Sequence, residues 1–139
     1  MLQTIPPQGA PNTFLGFPLC TELDAIEADI AILGIPYGYS YSNDEFTSDQ
    51  ANAPSAVRLE SVRLSDGLDH WDFDLGGPLF CRRDVRVVDC GDVPGDRADI
   101  NRHYCMAEQA VKTILERKAH PVIIGGDHGV PIPVFRAFD

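Results

Sequence analysis

The sequence lacks any apolar run of the roughly 20 residues that a bilayer-spanning helix needs. Its first residues, Met1 to Phe14, carry neither a basic stretch nor an apolar signal core. No membrane association is expected, and a cytoplasmic protein is. Basic residues are scarce: 11 Lys and Arg stand against 21 Asp and Glu, a net charge of -10. Such a chain repels phosphate backbones and offers no basic stripe to grip them, which excludes nucleic acid as an expected partner and suits a cationic one. Cysteines are few and far apart. Cys20, Cys81, Cys90 and Cys105 include no close pair of the kind that structural zinc sites use. Reduced, packed thiols are expected, with Cys90 and Cys105 inside apolar segments.

The 139 residues suit one domain of ordinary globular composition, 44% hydrophobic and 23% charged. Pro6, Pro7, Pro11 and Pro18 keep the opening from forming a long helix or a central strand. Residues 1–28 are therefore predicted to form an arm lying over a body of residues 29–139. From Asp29, the apolar run Ile30 to Leu33 stops at Gly34-Ile35-Pro36, as a strand buried on both faces does. Tyr37 to Asn52 has no period and reads as a long loop. Pro54 opens a segment with Val57, Leu59, Val62 and Leu64, predicted as a helix of about three turns. Val85, Val87 and Val88 predict a second strand, ending in a turn at Asp89-Cys90-Gly91-Asp92. Asp99 is a competent N-cap for a helix in which Ile100, Tyr104, Ala107, Val111 and Ile114 recur at three- and four-residue spacings. Pro121 to Ile124 make a third apolar strand, and Val134 to Phe138 the start of a further helix. Strand, helix and strand in this order imply parallel pairing, hence an α/β class.

Gly125-Gly126-Asp127-His128-Gly129 lies directly after the third strand, where open α/β sheets bind ligands. The imidazole of His128 suits metal ligation, and Asp127 is a local acceptor that can orient it. The plain alternative is an Asp-His pair that only bonds its own loop. One histidine does not make a site, since a catalytic metal takes about three protein ligands. Asp89 and Asp92 are read as caps of their turn rather than as ligands. His70, His103 and His120 have no partner at ligand spacing and are read as surface or packing residues.

Four segments in order, DIAILGIPYG from Asp29, APSAVR from Ala53, VVDCGDVPGD from Val87 and HPVIIGGDHGVPIPVFRAF from His120, resemble the ureohydrolase family of arginases and agmatinases. DFDLGGPLF from Asp72 and GGDHG in place of GGDHS make the resemblance agmatinase-like. Ala53 stands where many members have glycine. The resemblance implies a three-layer α-β-α fold with a parallel sheet, here truncated to its N-terminal portion. It implies Mn2+ as cofactor, two ions in complete members, with His128 a manganese ligand and Asp127 its orienting neighbour. It assigns no catalytic residue within these 139. The family completes its site with an Asp-x-His-x-Asp and an Asp-x-Asp segment, and neither follows His128. The implied reaction is hydrolysis of a guanidino C–N bond by a manganese-activated hydroxide, agmatine giving putrescine and urea, with guanidinobutyrate and arginine as alternative substrates. A small guanidino substrate and a homo-oligomer are the implied partners. A remnant or interaction module without activity is the competing expectation.

Overall fold

The computed structural model describes residues 3–7, 12–38, 49–81, 83–95 and 99–139. Three parallel strands, β1 (Ile30–Gly34), β2 (Val87–Asp92) and β3 (His120–Ile124), form one sheet in the order β2-β1-β3. β1 is the central strand. Its apolar run has every residue after Ile30 buried, whereas β3, at the sheet edge, leaves Val122 45% exposed. The class is the expected one, α/β: a parallel sheet with helices on both faces.

Helix α1 (Ala53–Ser61) carries Pro at its start and continues as a 3-10 turn over Val62–Gly67. The apolar residues that suggested this helix do not form its buried face. Val57, Leu59, Val62 and Leu64 are exposed, and Pro54, Arg58 and Ser61 are buried instead. Helix α2 (Ile100–Glu116) begins where its cap predicts, with the Asp99 carboxylate accepting from the amide of Arg102 at 3.0 Å. It buries Ala107, Ala110, Val111 and Ile114 against Leu33, Ile35, Cys90 and Val93. Helix α3 (Pro131–Arg136) packs beside α2.

Two details of β2 depart from the sequence reading. The strand runs through Asp89-Cys90-Gly91-Asp92 rather than turning there. It also contains a β-bulge: Ile32 pairs with Asp89 and Gly34 with Asp92, so three steps on β2 match two on β1. Gly91, at φ +70, absorbs the extra residue. Side chains alternate between the faces of a regular strand. The bulge breaks that alternation and turns the Asp89 and Asp92 side chains to the same face, while Cys90 points into the core beside α2.

Residues of the opening lie along the outer edge of β2. Ile5 bridges Asp92, Leu19 bridges Asp89, and the Thr4 hydroxyl donates to the Cys90 carbonyl. Backbone groups that an edge strand would expose are thereby paired. The thiols are less uniformly packed than expected. Cys90 is buried and Cys20 half-buried, but Cys81 and Cys105 are exposed, Cys105 because it lies off the buried stripe of α2. Most of the loop read over Tyr37 to Asn52 lies outside the described residues. Among the described residues no helix is long and apolar enough to cross a membrane.

Candidate functional site

The carboxyl ends of the three parallel strands lie on one side of the sheet, and the turn Gly125–Gly129 follows β3 there. β1 and β3 stay paired to the end of the ladder, where the amide of Ile35 donates to the Ile124 carbonyl at 2.9 Å. The amide of Asp127 then donates back to the Tyr37 carbonyl at 3.1 Å, tying the turn to the segment after β1. Gly126 makes this possible. A Cβ there would lie 1.7 Å from the Tyr37 carbonyl oxygen and 2.6 Å from that of Gln50, so no side chain fits. One carboxylate oxygen of Asp127 accepts from the amide of Gly129 at 2.7 Å and closes a tight turn over His128. His128 is exposed at its tip, on the side of the sheet where ligands bind in α/β folds.

Aromatic side chains underlie the turn. Tyr37, just after β1, stacks on His103 of α2 with ring centroids 5.7 Å apart and planes at 15°. It meets Tyr104 at 5.3 Å and 54°. His103 is buried, with Nδ1 3.4 Å from the Pro94 carbonyl oxygen, so it spans from the segment after β2 to the segment after β1.

On the opposite face of the sheet, Arg58 of α1 is fully buried against the β2 bulge. Its Nε donates to Asp89 Oδ2 at 2.8 Å, Nη2 to Asp89 Oδ1 at 2.9 Å, and Nη1 to Asp92 Oδ1 at 2.6 Å. Nη2 also donates to the Gly91 carbonyl at 2.9 Å. Burial alone would lower the guanidinium pKa, but the hydrogen bonds and charges of Asp89 and then Asp92 outweigh it and raise the pKa above its ordinary value. Asp89 additionally accepts from the amides of Gly91 and Phe14. Its capping of nearby amides is as expected, but it does so from within a strand, and its principal partner is Arg58. These carboxylates are committed to a guanidinium, and that leaves them no ligand role.

His128 and Asp127 thus sit together at the end of β3, His120 is exposed at the start of the same strand, His70 is exposed, and His103 is in the interior. Among the described residues no group of three or more His, Cys, Asp or Glu side chains is arranged to hold a metal ion. His128 suits such an ion as one donor, but a manganese centre needs about three protein ligands, so these residues alone do not complete one. Sequence reading passed over Arg58, Tyr37 and Tyr104. Arg58 shares the buried stripe of α1 with Pro54 and Ser61, four residues before and three after it, and an inward arginine requires carboxylate partners, which the sequence alone does not place.

Comparison with known proteins is consistent across sequence and structure. The model of the arginase family matches residues 28–139. The agmatinase of Bacillus subtilis is 31% identical over 111 residues, covering 80% of this chain and 35% of that protein. A crystal structure described as a hypothetical agmatinase from Burkholderia thailandensis superposes with a TM-score of 0.72 at 28% identity, over 91% of this chain and 37% of that one. Trypanosoma cruzi formiminoglutamase, solved with Mn2+, gives a TM-score of 0.61 at 25% identity, over 92% of this chain and 41% of that one. The chain therefore spans little more than a third of the length of its relatives.

Proposed function

The chain belongs to the arginase family, and from that premise we propose that it is a segment of an agmatinase-like ureohydrolase, with His128 one ligand of a manganese site completed by residues outside these 139. The observation that carries this reading is the turn at the end of β3: two glycines fold it back against Tyr37, Asp127 closes it, and a single exposed imidazole stands at its tip. Agmatine, cleaved to putrescine and urea, is the substrate favoured by the agmatinase relatives. A cationic guanidino compound also suits a chain of net charge -10. The formiminoglutamase neighbour supports the same manganese and widens the class to other linear amidine-like C–N bonds. A homo-oligomer in the cytoplasm completes the proposal; the outer edge of β3, unpaired among the described residues, offers a place for a further strand from the same or another chain.

Calorimetric titration of the chain with Mn2+, beside His128→Ala and an assay for urea from agmatine, tests this. Weak binding that disappears in His128→Ala, without urea, is the expected result. Equal binding by wild type and His128→Ala would remove His128 from the site. Stoichiometric binding of two ions with urea release would show that these residues suffice, against the incompleteness proposed here.

A further inference from the structure

Gly129 is not required by backbone conformation, since the described glycines with positive φ are Gly16, Gly76 and Gly91. Occupied space requires it. A Cβ at 129 would lie 2.5 Å from the Tyr104 hydroxyl oxygen, 2.5 Å from Tyr37 Cε1 and 3.0 Å from Asp127 Oδ1. The two rings come from different elements, Tyr37 from the segment after β1 and Tyr104 from the early turns of α2. They lean on each other at 5.3 Å, and Tyr37 is backed by the buried ring of His103. They form a wedge that fills the space a Cβ would take one residue beyond His128. Asp127 fixes the other side of the same turn through the Gly129 amide.

We propose that Tyr104 and Tyr37 are positioning residues for His128, acting through Gly129: the wedge sets where the backbone of the turn lies and hence where the imidazole is presented. This deepens the manganese reading of His128 and rests on it. A metal ligand retains its geometry only when the groups behind it are locked by packing and hydrogen bonds. Aromatic side chains, with two rotatable bonds each, supply that at small entropic cost. The wedge also explains why this chain carries GGDHG. The volume that a side chain at 129 would fill already holds the Tyr104 hydroxyl and the edge of Tyr37.

The test is NMR of the chain labelled at histidine, comparing wild type with Tyr104→Ala, Gly129→Ala and the double variant. Each single change is expected to displace the His128 ring cross-peak, because one removes the wedge and the other collides with it. In the Tyr104→Ala background the displacement caused by Gly129→Ala should shrink by about twofold or more, the mark of two coupled sites. His103 touches the wedge and should move as well, whereas His70 and His120 should not. Tyr104→Phe, which keeps the ring and loses only the hydroxyl, serves if Tyr104→Ala fails to fold, and should relieve Gly129→Ala in the same direction. An unmoved His128 signal in both single variants overturns the proposal. So does an equal displacement of His70 and His120, which would signify general loosening. A separate addition of Mn2+ should broaden the wild-type His128 signal selectively. Absence of that broadening overturns the ligand reading, while the displacements continue to decide the wedge.

Discussion

Arg58 and Asp89, 31 residues apart, form a two-pronged guanidinium–carboxylate pair with both side chains fully buried. The planar guanidinium matches a carboxylate edge, and such pairs are short and charge-assisted. Because Asp89 also accepts from the Phe14 amide, and Asp92 accepts from the third guanidinium nitrogen, the one arginine binds α1, the β2 bulge and the opening segment together. Arg58→Ala leaves two carboxylates buried without their cation, which costs on the order of 3–5 kcal/mol. Urea denaturation should show that loss as a lowered midpoint at similar slope. Arg58→Lys, keeping charge but losing the fork, should fall between the two. A loss under about 1 kcal/mol for Arg58→Ala would mean the pair is dispensable.

Gly126 is the most constrained position of the turn. Its missing side chain lets the Tyr37 carbonyl approach closely enough to accept from Asp127. Gly126→Ala forces backbone apart from backbone, with no flexible side chain to yield, and overpacking of that kind costs about 1–3 kcal/mol. Hydrogen exchange should show the Asp127 amide losing protection before those of β3. Retained protection with unchanged stability would mean that the turn tolerates the methyl group.

The parts legible in the sequence are those written in short-range patterns. The apolar runs before Gly34 and Gly125 gave β1 and β3, and the Asp99 cap with its three- and four-residue periodicity gave α2. What was not legible depends on pairing at a distance. The sheet order β2-β1-β3 is invisible in three similar apolar runs. The bulge at Gly91 resembled a turn because Asp-x-Gly-Asp is turn chemistry until Arg58 gives the carboxylates a partner. The apolar residues of α1 misplaced its buried face for the same reason, since the inward position is held by an arginine. In the site, the Gly-Gly-Asp-His turn was plain, but Tyr37, His103 and Tyr104 meet only in three dimensions.

The segment after α1 offers a check on the surface. Trp71, Phe73 and Leu75 are 61%, 90% and 57% exposed, beside a small loop in which Asp72 Oδ1 accepts from the amides of Asp74 and Leu75. Phe73→Ser removes little buried contact, so it should change stability by no more than about 0.5 kcal/mol. It should also reduce binding of an apolar dye and any concentration-dependent association, because contiguous exposed apolar groups drive both. Trp71, the chain's one tryptophan, reports the same patch by fluorescence quenching in solution. Strong protection of Trp71 from quencher at low protein concentration would contradict this exposure.

Alkaline pH should destabilise the fold through Cys90. Burial, followed by the charges of Cys20 and Asp89, pushes its thiol from 9.0 up to about 12, although Arg58 acts the other way. A thiol whose folded pKa is raised retains its proton in the native state at pH values where the unfolded chain has lost it. The unfolded state then binds fewer protons, so stability is complete below pH 9.0 and declines as pH rises toward about 12. The slope for one such group is at most about 1.4 kcal/mol per pH unit. Cys20, raised chiefly by burial, adds in the same direction. Arg58 does not contribute to this slope, because its raised pKa leaves its stabilisation complete below the ordinary value of 12.5. Urea denaturation of wild type and Cys90→Ala between about pH 8 and about pH 11, on either side of the ordinary thiol value of 9.0, separates these effects. Cys90→Ala should be the less stable protein near pH 8, from the lost packing, and should show the flatter decline above pH 9.0. Parallel declines in the two proteins would place the alkaline sensitivity elsewhere in the chain.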